Sequence, residues 1–412
     1  LGINIPTGKD SLSMKQKYPN DEVIAPGTVI ISAAGNCTNI TKVVEPVLQR
    51  NGGNIYYLNL SQDSFKLGGS SFAQILNKVG TDVPSITDAA YFKTAFNTLQ
   101  DAIKNRQIKA GHDVGSGGLI TTLLELSFAQ VDLGATYDLS VLGEADTVKT
   151  LFNENIAVVF QADAAIEALF AAQNIEIFKI GTVTEGDLVT IKNNADTFTF
   201  NVNETRDTWF KTSYLLDAKQ SRNGMAEARY ANYKNQPLDY QFPAHFTGKA
   251  AVISSAVEKP KAAIIREKGS NSEREMANAM YLAGFDVKDV HMTDLISGRE
   301  TLEDIQFIGA VGGFSNSDVL GSAKGWAGAF LYNEKANTAL KNFFKREDTL
   351  SVGICNGCQL WMELELINPE HKVHGKMHHN TSNKHESIFT SVKIKKNNSV
   401  MLSSLEGATL GV

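Results

Sequence analysis

The arrangement of apolar and polar positions differs between two regions of the chain. Over about the first 235 residues, short stretches that alternate as strands do are mixed with longer segments of helical spacing. The clearest of these predict strands over 54–60, 136–141 and 156–161 and helices over 88–109 and 119–129. Over residues 134–200, strands and helices mixed in this way predict an α+β layer in which one face of the sheet is covered.

After residue 260 the pattern becomes a regular alternation of strand and helix. It predicts strands over 261–266, 286–291 and 307–311, with a helix over 273–283 between the first two. Strands separated by helices at this spacing are typical of a parallel doubly wound sheet, in which ligands bind at the carboxyl ends of the strands. The polar, proline-containing stretch over 236–259 predicts a linker between the two regions.

The composition narrows the classes of function. A chain of 412 residues is long enough for two or three domains. The formal net charge of −6 argues against nucleic-acid binding, and no apolar run reaches the length of a membrane span, so we expect neither partner. The cysteines Cys37, Cys355 and Cys358 are too few for a disulfide framework and predict a reducing, cytoplasmic environment.

The most informative stretch surrounds Cys355. An apolar run over 350–354 predicts a buried strand, and a helical pattern follows directly after Asn356 and Gly357. A strand, a sharp turn and a helix in this order are typical of a nucleophile elbow, which exposes its nucleophile and directs the N–H of the next residue toward an oxyanion. The partial positive charge of a helix N-terminus also favours a thiolate at this position.

Two simpler interpretations of Cys355 stay open on the residues alone. Most free cysteines are small buried apolar residues without chemistry. The spacing of Cys355 and Cys358 also occurs in redox and zinc sites, and His374, His378 or His379 would be the partners in a mixed metal site. On the residues alone, a reactive Cys355 and a Cys355 that only packs in the interior are therefore about equally supported.

Three glycine-containing segments have the composition of ligand-binding loops. Gly312 and Gly313 follow a predicted strand and offer a second N–H to the oxyanion. Residues 8–14 form a small polar segment with a lysine, which predicts a phosphate-binding loop or an ordinary surface loop. The run over 111–118 combines glycines with Asp113, whose carboxylate suits magnesium or, alternatively, caps the helix that follows.

Several of these motifs resemble one enzyme family. The run Gly-Ile-Cys-Asn-Gly-Cys-Gln over 353–359 resembles the nucleophile motif of class I glutamine amidotransferases, and its Asn-Gly-Cys-Gln form resembles the phosphoribosylformylglycinamidine synthase family of purine biosynthesis. The run Gly-Gly-Phe-Ser-Asn-Ser-Asp-Val-Leu-Gly over 312–321 resembles the same family. The Gly-Lys-Asp-Ser run over 8–11 and the His-Asp pair at 112–113 resemble the second half of its synthase portion, a tandem pair of AIR-synthetase-like units.

The resemblance implies an ATP-dependent ligase. The family converts glutamine and formylglycinamide ribonucleotide, with ATP, into formylglycinamidine ribonucleotide, glutamate, ADP and phosphate. The implied roles are Cys355 as the nucleophile, Gly313 and Asn356 as oxyanion donors, Asp113 as a magnesium ligand, and Lys9, Asp10, Ser11, Gly115 and Ser116 as contacts of ATP or ADP. Gly115 and Ser116 stand where close relatives have a serine and an aspartate, which weakens the expectation of side-chain contacts to phosphate there.

The resemblance also implies a domain plan within a longer enzyme. Its parts are the end of an AIR-synthetase-like N-terminal-type subdomain (1–48), a C-terminal-like α+β domain of the same kind (49–235), the linker (236–259) and a doubly wound glutamine amidotransferase domain (260–412). The chain begins within a motif, without Met, and no His-x-Glu follows Cys355. We therefore expect the catalytic histidine and glutamate beyond residue 412, and no glutamine turnover by this piece alone.

Two other functions remain as alternatives. A cysteine hydrolase of the same elbow fold would keep Cys355 as a nucleophile and need no nucleotide site. A non-catalytic nucleotide-binding scaffold would bury Cys355. In either case, sheet edges left open in a partial domain favour pairing with another copy, so we expect a homodimer.

Overall fold

The computed structural model describes residues 5, 7–11, 14–24, 28–222, 224–235, 238–249 and 258–412, and for residues 7–11, 28 and 29 it describes the backbone alone. The chain divides into two compact units, Leu1–Leu216 and Asp217–Val412. Each unit has its own sheet and its own apolar core. No helix in the described ranges is long and apolar enough to cross a lipid bilayer.

The described part of the first unit is rich in strands. Its strands are β1 (Thr7–Ser11), β2 (Lys15–Tyr18), β3 (Asp21–Ile24), β4 (Thr28–Ser32), β5 (Asn54–Asn59), β6 (Ile108–Asp113), β7 (Leu133–Asp138), β8 (Ala157–Ala162), β9 (Phe178–Asn193) and β10 (Asp196–Asn201). Its α-helices are α1 (Ser71–Ile75), α2 (Ala89–Lys104), α3 (Gly118–Phe128), α4 (Thr147–Phe152), α5 (Ile166–Ala171) and α6 (Val202–Gln220), the last of which ends in the second unit.

The main sheet of the first unit has the strand order β10-β9-β5-β8-β6, and β7 joins it beside β9. The pairings are antiparallel except for β7 with β9. In the central strand β5, Ile55 and Tyr57 belong to one core cluster, whereas Tyr56 and Leu58 belong to another. Because successive side chains of a strand lie on opposite faces, both faces of the sheet are covered at β5. The expectation of one covered face is wrong.

The helix predicted over 88–109 is shorter than its apolar spacing indicated. It begins after Asp88, whose side chain accepts hydrogen bonds from two N–H groups of the first turn, and it ends at Lys104. The chain then turns and enters β6, where Ile108 is buried and pairs with β8. Residues 108 and 109, which the helical spacing had assigned to the end of the helix, therefore belong to a paired strand.

The second unit has a smaller sheet surrounded by helices. Its strands are β11 (Lys261–Arg266), β12 (Ser270–Asn271), β13 (Asp286–His291), β14 (Phe307–Ala310), β15 (Gly312–Gly313), β16 (Leu350–Gly353), β17 (Ser391–Lys393) and β18 (Thr409–Gly411). Its further α-helices are α7 (Met225–Asn232), α8 (Glu273–Leu282), α9 (Met292–Ser297), α10 (Lys324–Tyr332), α11 (Glu334–Lys345) and α12 (Asn356–Glu363).

Four strands form the parallel sheet that the sequence predicts after residue 260. Their order is β13-β11-β14-β16, and all three pairings are parallel. Helix α8 connects β11 with β13, and buried aromatic side chains such as Trp326 and Phe330 fill the core. Ala310 of β14 is the partner of Gly353 of β16. The two segments with predicted chemistry therefore leave neighbouring strands at the same edge of the sheet.

Part of the predicted linker is paired with residues of the same unit. Gln241 and Thr409 exchange two backbone hydrogen bonds, at 3.1 and 2.8 Å. The strand that contains Thr409, β18, in turn pairs antiparallel with β17. Residues around Gln241 are thus anchored at this point by regular backbone pairing.

A polar cluster in the second unit ties the end of α6 to α7 and to residues 384–386. The carboxylate of Asp217 accepts hydrogen bonds from Nε and Nη2 of Arg229, at 2.7 and 2.9 Å, and also from Nζ of Lys384. Nη1 of the same arginine donates to Glu386 at 2.9 Å. The hydrogen bonds from Arg229 hold the pKa of Asp217 well below its usual range.

We expect Asp217→Asn to destabilise the second unit by about 2 kcal/mol, because it weakens several hydrogen bonds between charged groups. The pKa of Asp217 is lower in the folded than in the unfolded chain, so its contribution is present above about pH 4 and is lost as the pH falls below that value. Urea unfolding followed by tryptophan fluorescence at pH 6 and pH 3.5 measures both effects.

Asp304→Asn is the matched control, because its pair with Lys261 is about half exposed on both sides. It should change the free energy of unfolding by less than about 1 kcal/mol. Equal effects of the two substitutions would show that the Asp217 cluster contributes no more than a surface ion pair.

Candidate functional site

Cys355 has a left-handed backbone conformation between β16 and α12. Its φ is 54° and its ψ is −109°, which costs a residue with a side chain roughly 1–3 kcal/mol. Strand β16 ends at Gly353, and α12 begins at Asn356. The chain therefore changes direction within two residues, as a nucleophile elbow does, and Cys355 is exposed.

Two glycines allow this turn to lie close to the sheet. A Cβ atom at Gly357 would lie 2.1 Å from the backbone oxygen of Ala310 in β14. A Cβ atom at Gly353 would lie 2.5 Å from the backbone oxygen of Gly357 and 2.5 Å from Cδ1 of Trp361. The first turn of α12 can pack against β14 and β16 only because both positions lack side chains.

The start of α12 leaves one backbone donor available beside the thiol. The N–H of Asn356 donates to no backbone acceptor in the described ranges, whereas the N–H of Gly357 donates to the oxygen of Ile354 at 2.9 Å. Backbone N–H groups in the first turn of a helix have no partner within the helix. An N–H in this position, directly after a nucleophile, has the arrangement of an oxyanion donor.

The glycine pair that follows β14 lies against the elbow. A Cβ atom at Gly312 would lie 3.4 Å from Cβ of Cys355, so the two residues are close neighbours. Gly313 has a φ of 109°, a value that favours glycine. Its neighbour Phe314 donates its N–H to the oxygen of Gly269 at 3.0 Å. The structure thus brings the Gly312–Gly313 segment and Cys355 together, as their positions in the sequence predict.

One histidine and two glutamates after Cys355 contact other side chains. Nε2 of His374 lies 3.7 Å from Oε2 of Glu365, and Glu386 pairs with Arg229. Across the described residues, no group of three or more His, Cys, Asp or Glu side chains could hold a metal ion. The mixed metal site with Cys355 and Cys358 therefore has no support in the structure.

In the first unit, Asp113 lies at the end of β6. The alternative prediction, that it caps the helix that follows, is wrong, because the N-cap residue of α3 is Gly117, which makes no side-chain capping hydrogen bond. Its side chain is 82% exposed, and Nδ1 of His112 lies 3.5 Å from its Oδ1. A Cβ atom at Gly115 would lie 3.8 Å from the other carboxylate oxygen of Asp113, and Ser116 beside it is exposed. Asp113, Gly115 and Ser116 therefore lie together at the surface of the unit.

One glycine further along the same segment, Gly117, is bound to a protein carboxylate. Oε1 of Glu154 accepts hydrogen bonds from the N–H of Gly117 at 2.9 Å and from the N–H of Ser71 at 2.8 Å. These two donors lie at the starts of α3 and α1, where an anion is favourable. The side chain of Glu154 thus occupies a position that the glycines alone would offer to a phosphate.

Lys9, Asp10 and Ser11 lie in strand β1, which pairs antiparallel with β4. The prediction of a loop at this segment is wrong, because its backbone groups belong to a two-stranded ladder. The side chains of the three residues lie outside the described part of the structure. Their contact with phosphate stays a prediction.

The fold and the elbow together define the class of the second unit. A parallel sheet with an exposed cysteine on a strained turn, beside a glycine pair at the neighbouring strand end, is the architecture of a glutamine amidotransferase domain. Residues 259–412 match the family described as a CobB/CobQ-like glutamine amidotransferase domain. Residues 50–193 match the family described as the C-terminal domain of AIR synthase related proteins.

Two curated proteins are similar to the chain over its whole length. It is 39% identical to a probable phosphoribosylformylglycinamidine synthase, chloroplastic/mitochondrial, of Arabidopsis thaliana and 35% identical to phosphoribosylformylglycinamidine synthase of Homo sapiens. The matches cover 30% and 32% of those proteins. The chain is therefore similar over its whole length to proteins named phosphoribosylformylglycinamidine synthase, and it spans about a third of the length of these relatives.

Solved structures are less similar. A structure of T. maritima PurL complexed with FGAR is 15% identical to the chain, with a TM-score of 0.35. The match covers 44% of this chain and 31% of that one. A likeness at this level has no bearing on the site.

Three residues of the site were not found by sequence reasoning. They are Glu154, which binds the glycine-rich segment, and Ser315 and the side chain of Asn356, which connect the glycine loop to the elbow. The position of Asn356 was predicted for its backbone N–H only. Each of these contacts joins residues at least 37 positions apart, and no local pattern indicates them.

We expect Gly357→Ala to destabilise the second unit by roughly 3 kcal/mol, because the added Cβ would overlap the Ala310 carbonyl group. Gly328→Ala is the control, since its Cβ would lie 3.7 Å from the Tyr332 ring within helix α10. It should be neutral or stabilise by up to about 1 kcal/mol. Urea unfolding measures both. If Gly357→Ala were as stable as Gly328→Ala, the close approach of α12 to β14 would not exist in solution.

Proposed function

We propose that the chain provides the cysteine nucleophile and the AIR-synthase-related domain of an enzyme that amidates formylglycinamide ribonucleotide. In the whole protein, glutamine supplies the nitrogen and ATP activates the ribonucleotide, with formylglycinamidine ribonucleotide, glutamate, ADP and phosphate as products. The observation that supports this most directly is the exposed Cys355 on its left-handed turn, in a chain that is similar to proteins named phosphoribosylformylglycinamidine synthase.

The proposed first step is attack of the Cys355 thiolate on the carboxamide carbon of glutamine. A carbon–sulfur bond forms and the carbonyl oxygen becomes an oxyanion. The carbon–nitrogen bond then breaks as the nitrogen takes up the proton that the thiol gave up, so ammonia leaves and a γ-glutamyl thioester remains. The N–H groups of Asn356 and Gly313 are the proposed oxyanion donors, each contributing about 3 kcal/mol to the transition state. Water then hydrolyses the thioester to glutamate, and the ammonia is used by the synthase reaction. The proposal assigns no general base to the described residues.

Asp113 is the proposed magnesium ligand of the first unit. Its exposed carboxylate belongs to no group of three or more His, Cys, Asp or Glu side chains in the described ranges that could hold an ion by themselves. Magnesium commonly binds one or two carboxylates together with phosphate oxygens and water, so a single exposed aspartate fits an ion shared with a nucleotide. Such an ion neutralises phosphate charge during transfer.

The proposed nucleotide contacts lie on both sides of this aspartate in the sequence. Gly115 and Ser116 lie beside Asp113, while the N–H of Gly117 is already bound by Glu154. Gly115 and Ser116 therefore remain as the proposed contacts of phosphate in this segment. Lys9, Asp10 and Ser11 are retained as proposed contacts on the strength of the family resemblance alone.

We expect an activated γ-aryl ester of glutamate to acylate Cys355 and to leave Cys37 and Cys358 unmodified. Such an ester needs no protonation of its leaving group, so the reaction requires only the thiolate and the oxyanion donors. Mass spectrometry of peptides locates the γ-glutamyl group, and release of the aryl alcohol gives the rate. The β-aryl ester of aspartate, one methylene shorter, is the control and should react more slowly.

Iodoacetamide provides an independent check on the same thiol. Cys37 and Cys355 are both exposed, so exposure alone predicts similar rates. Faster alkylation of Cys355 is expected because its thiol lies at the start of α12. Equal alkylation rates, together with no acylation by the glutamate ester, would favour the scaffold interpretation over the amidotransferase.

We expect the chain to bind ATP or ADP in a magnesium-dependent manner, and Asp113→Asn to weaken this binding by about tenfold or more, because the metal loses its charged ligand. Isothermal titration calorimetry with and without magnesium measures the effect. Asp101→Asn, on the exposed surface of α2, is the control. A chain that binds no nucleotide would instead support a cysteine hydrolase of the same fold.

The compartment and the oligomeric state are part of the same proposal. All three cysteines are free, which supports the cytoplasm or another reducing compartment. The homodimer is proposed from the expectation of open sheet edges.

A further inference from the structure

The side chain of Asn356 connects the elbow to the glycine loop. Its Oδ1 accepts a hydrogen bond from the N–H of Ser315 at 3.2 Å, and its Nδ2 donates to Oε1 of Gln359 at 2.9 Å. Asn356 is 1% exposed. A buried amide with both ends paired has a single defined orientation, because rotating it would leave a donor and an acceptor without partners.

The loop that this side chain contacts is strained. Asn316, Ser317 and Asp318 have φ values of 52°, 57° and 48° in succession. Left-handed conformations cost residues with side chains about 1 kcal/mol or more each, and they persist only where the surroundings fix them. The contacts around the loop must therefore hold it in place.

Three backbone N–H groups at the start of this loop donate hydrogen bonds that hold it. Two of them donate to the connection after β11: Phe314 to the oxygen of Gly269 at 3.0 Å, and Asn316 to the oxygen of Lys268 at 2.7 Å. The third hydrogen bond runs from the N–H of Ser315 to the side chain of Asn356, the residue that follows the nucleophile. The side chain of Ser315 does not contribute, because its buried Oγ has no partner in the described ranges. Asn356 therefore connects the loop directly to the elbow.

We propose that the side chain of Asn356 is a positioning residue that fixes the Gly313–Ser315 backbone at the distance from Cys355 that oxyanion binding requires. It acts through the loop and does not touch the reacting atoms. The inference rests on the proposed function, because it concerns the same acyl-transfer site. It adds a role for the side chain that is separate from the role of the Asn356 N–H.

The test compares two reactions of the same thiol. Acylation by the γ-aryl ester of glutamate passes through an oxyanion, whereas alkylation by iodoacetamide displaces iodide at a saturated carbon and forms none. Both reactions require the thiolate, so the ratio of their rates at Cys355 cancels changes in thiolate fraction. We expect Asn356→Ala to lower this ratio by about tenfold or more, as the loss of an oxyanion contact does.

Asn356→Asp is the matched variant, because it keeps an acceptor for the Ser315 N–H. Its ratio of acylation rate to alkylation rate at Cys355 should stay close to that of the unaltered chain. Asn356→Leu has a similar volume to asparagine and neither hydrogen bond, so it should reproduce the Ala result if packing alone is not the cause. Peptide-resolved mass spectrometry gives the Cys355 rates, and Cys37 in the same sample gives the ratio for an exposed thiol outside the site.

Two outcomes would overturn the inference while leaving the proposed function intact. In one, the Ala and Leu variants have the same ratio as the unaltered chain. In the other, they lower acylation and alkylation equally, which indicates a general disturbance of the elbow. If the unaltered chain itself is not acylated at Cys355, the proposed function fails, and the inference fails with it.

Discussion

One backbone carbonyl determines the geometry of the second unit's site. The oxygen of Ala310 accepts a hydrogen bond from the N–H of Ile354 at 3.0 Å, and it lies 2.1 Å from the place of a Cβ atom on residue 357. The end of β16 and the start of α12 thus both contact the last residue of β14. Since the chain must satisfy both contacts within four residues, Cys355, the first of the two residues between them, adopts a left-handed conformation. The exposure of the thiol follows from this crowding of the backbone.

The sequence was sufficient for those features that local patterns encode. Four apolar residues in a row predicted β11, and the apolar run before Cys355 together with Gly353 and Gly357 predicted the elbow. The boundary between α2 and β6 was misplaced, because the apolar spacing near Ile108 suits both a helix and a strand. Only its pairing with β8, about 54 residues further along, decides between them. Contacts such as those of Glu154 and Asn356 are determined by the fold, and no short motif contains them.

The glycine-rich segment of the first unit combines packing and exposure within a few residues. A Cβ atom at Gly118 would lie 2.6 Å from the backbone of Phe152, and the N–H of Gly117 is bound by Glu154. These two glycines are required for the start of α3 to approach the chain around residues 152–154. Asp113 and Ser116, in contrast, face solvent. The glycine-rich segment therefore has two parts. Gly117 and Gly118 are needed for packing, whereas Asp113 and Ser116 are accessible to solvent.

The distribution of strain distinguishes the glycine loop of the second unit from ordinary turns. In the first unit, left-handed residues such as Asn77, Asn174 and Asn194 are single, and asparagine tolerates this conformation. The loop after Gly313 has three in succession, and the neighbouring Ser315 hydroxyl is buried without a partner among the residues that the structure describes. Together these features cost several kcal/mol, which is a large part of the 5–15 kcal/mol that stabilises a typical domain. A fold retains strain of this size where the exact path of the backbone matters. Here that path runs directly beside the nucleophile.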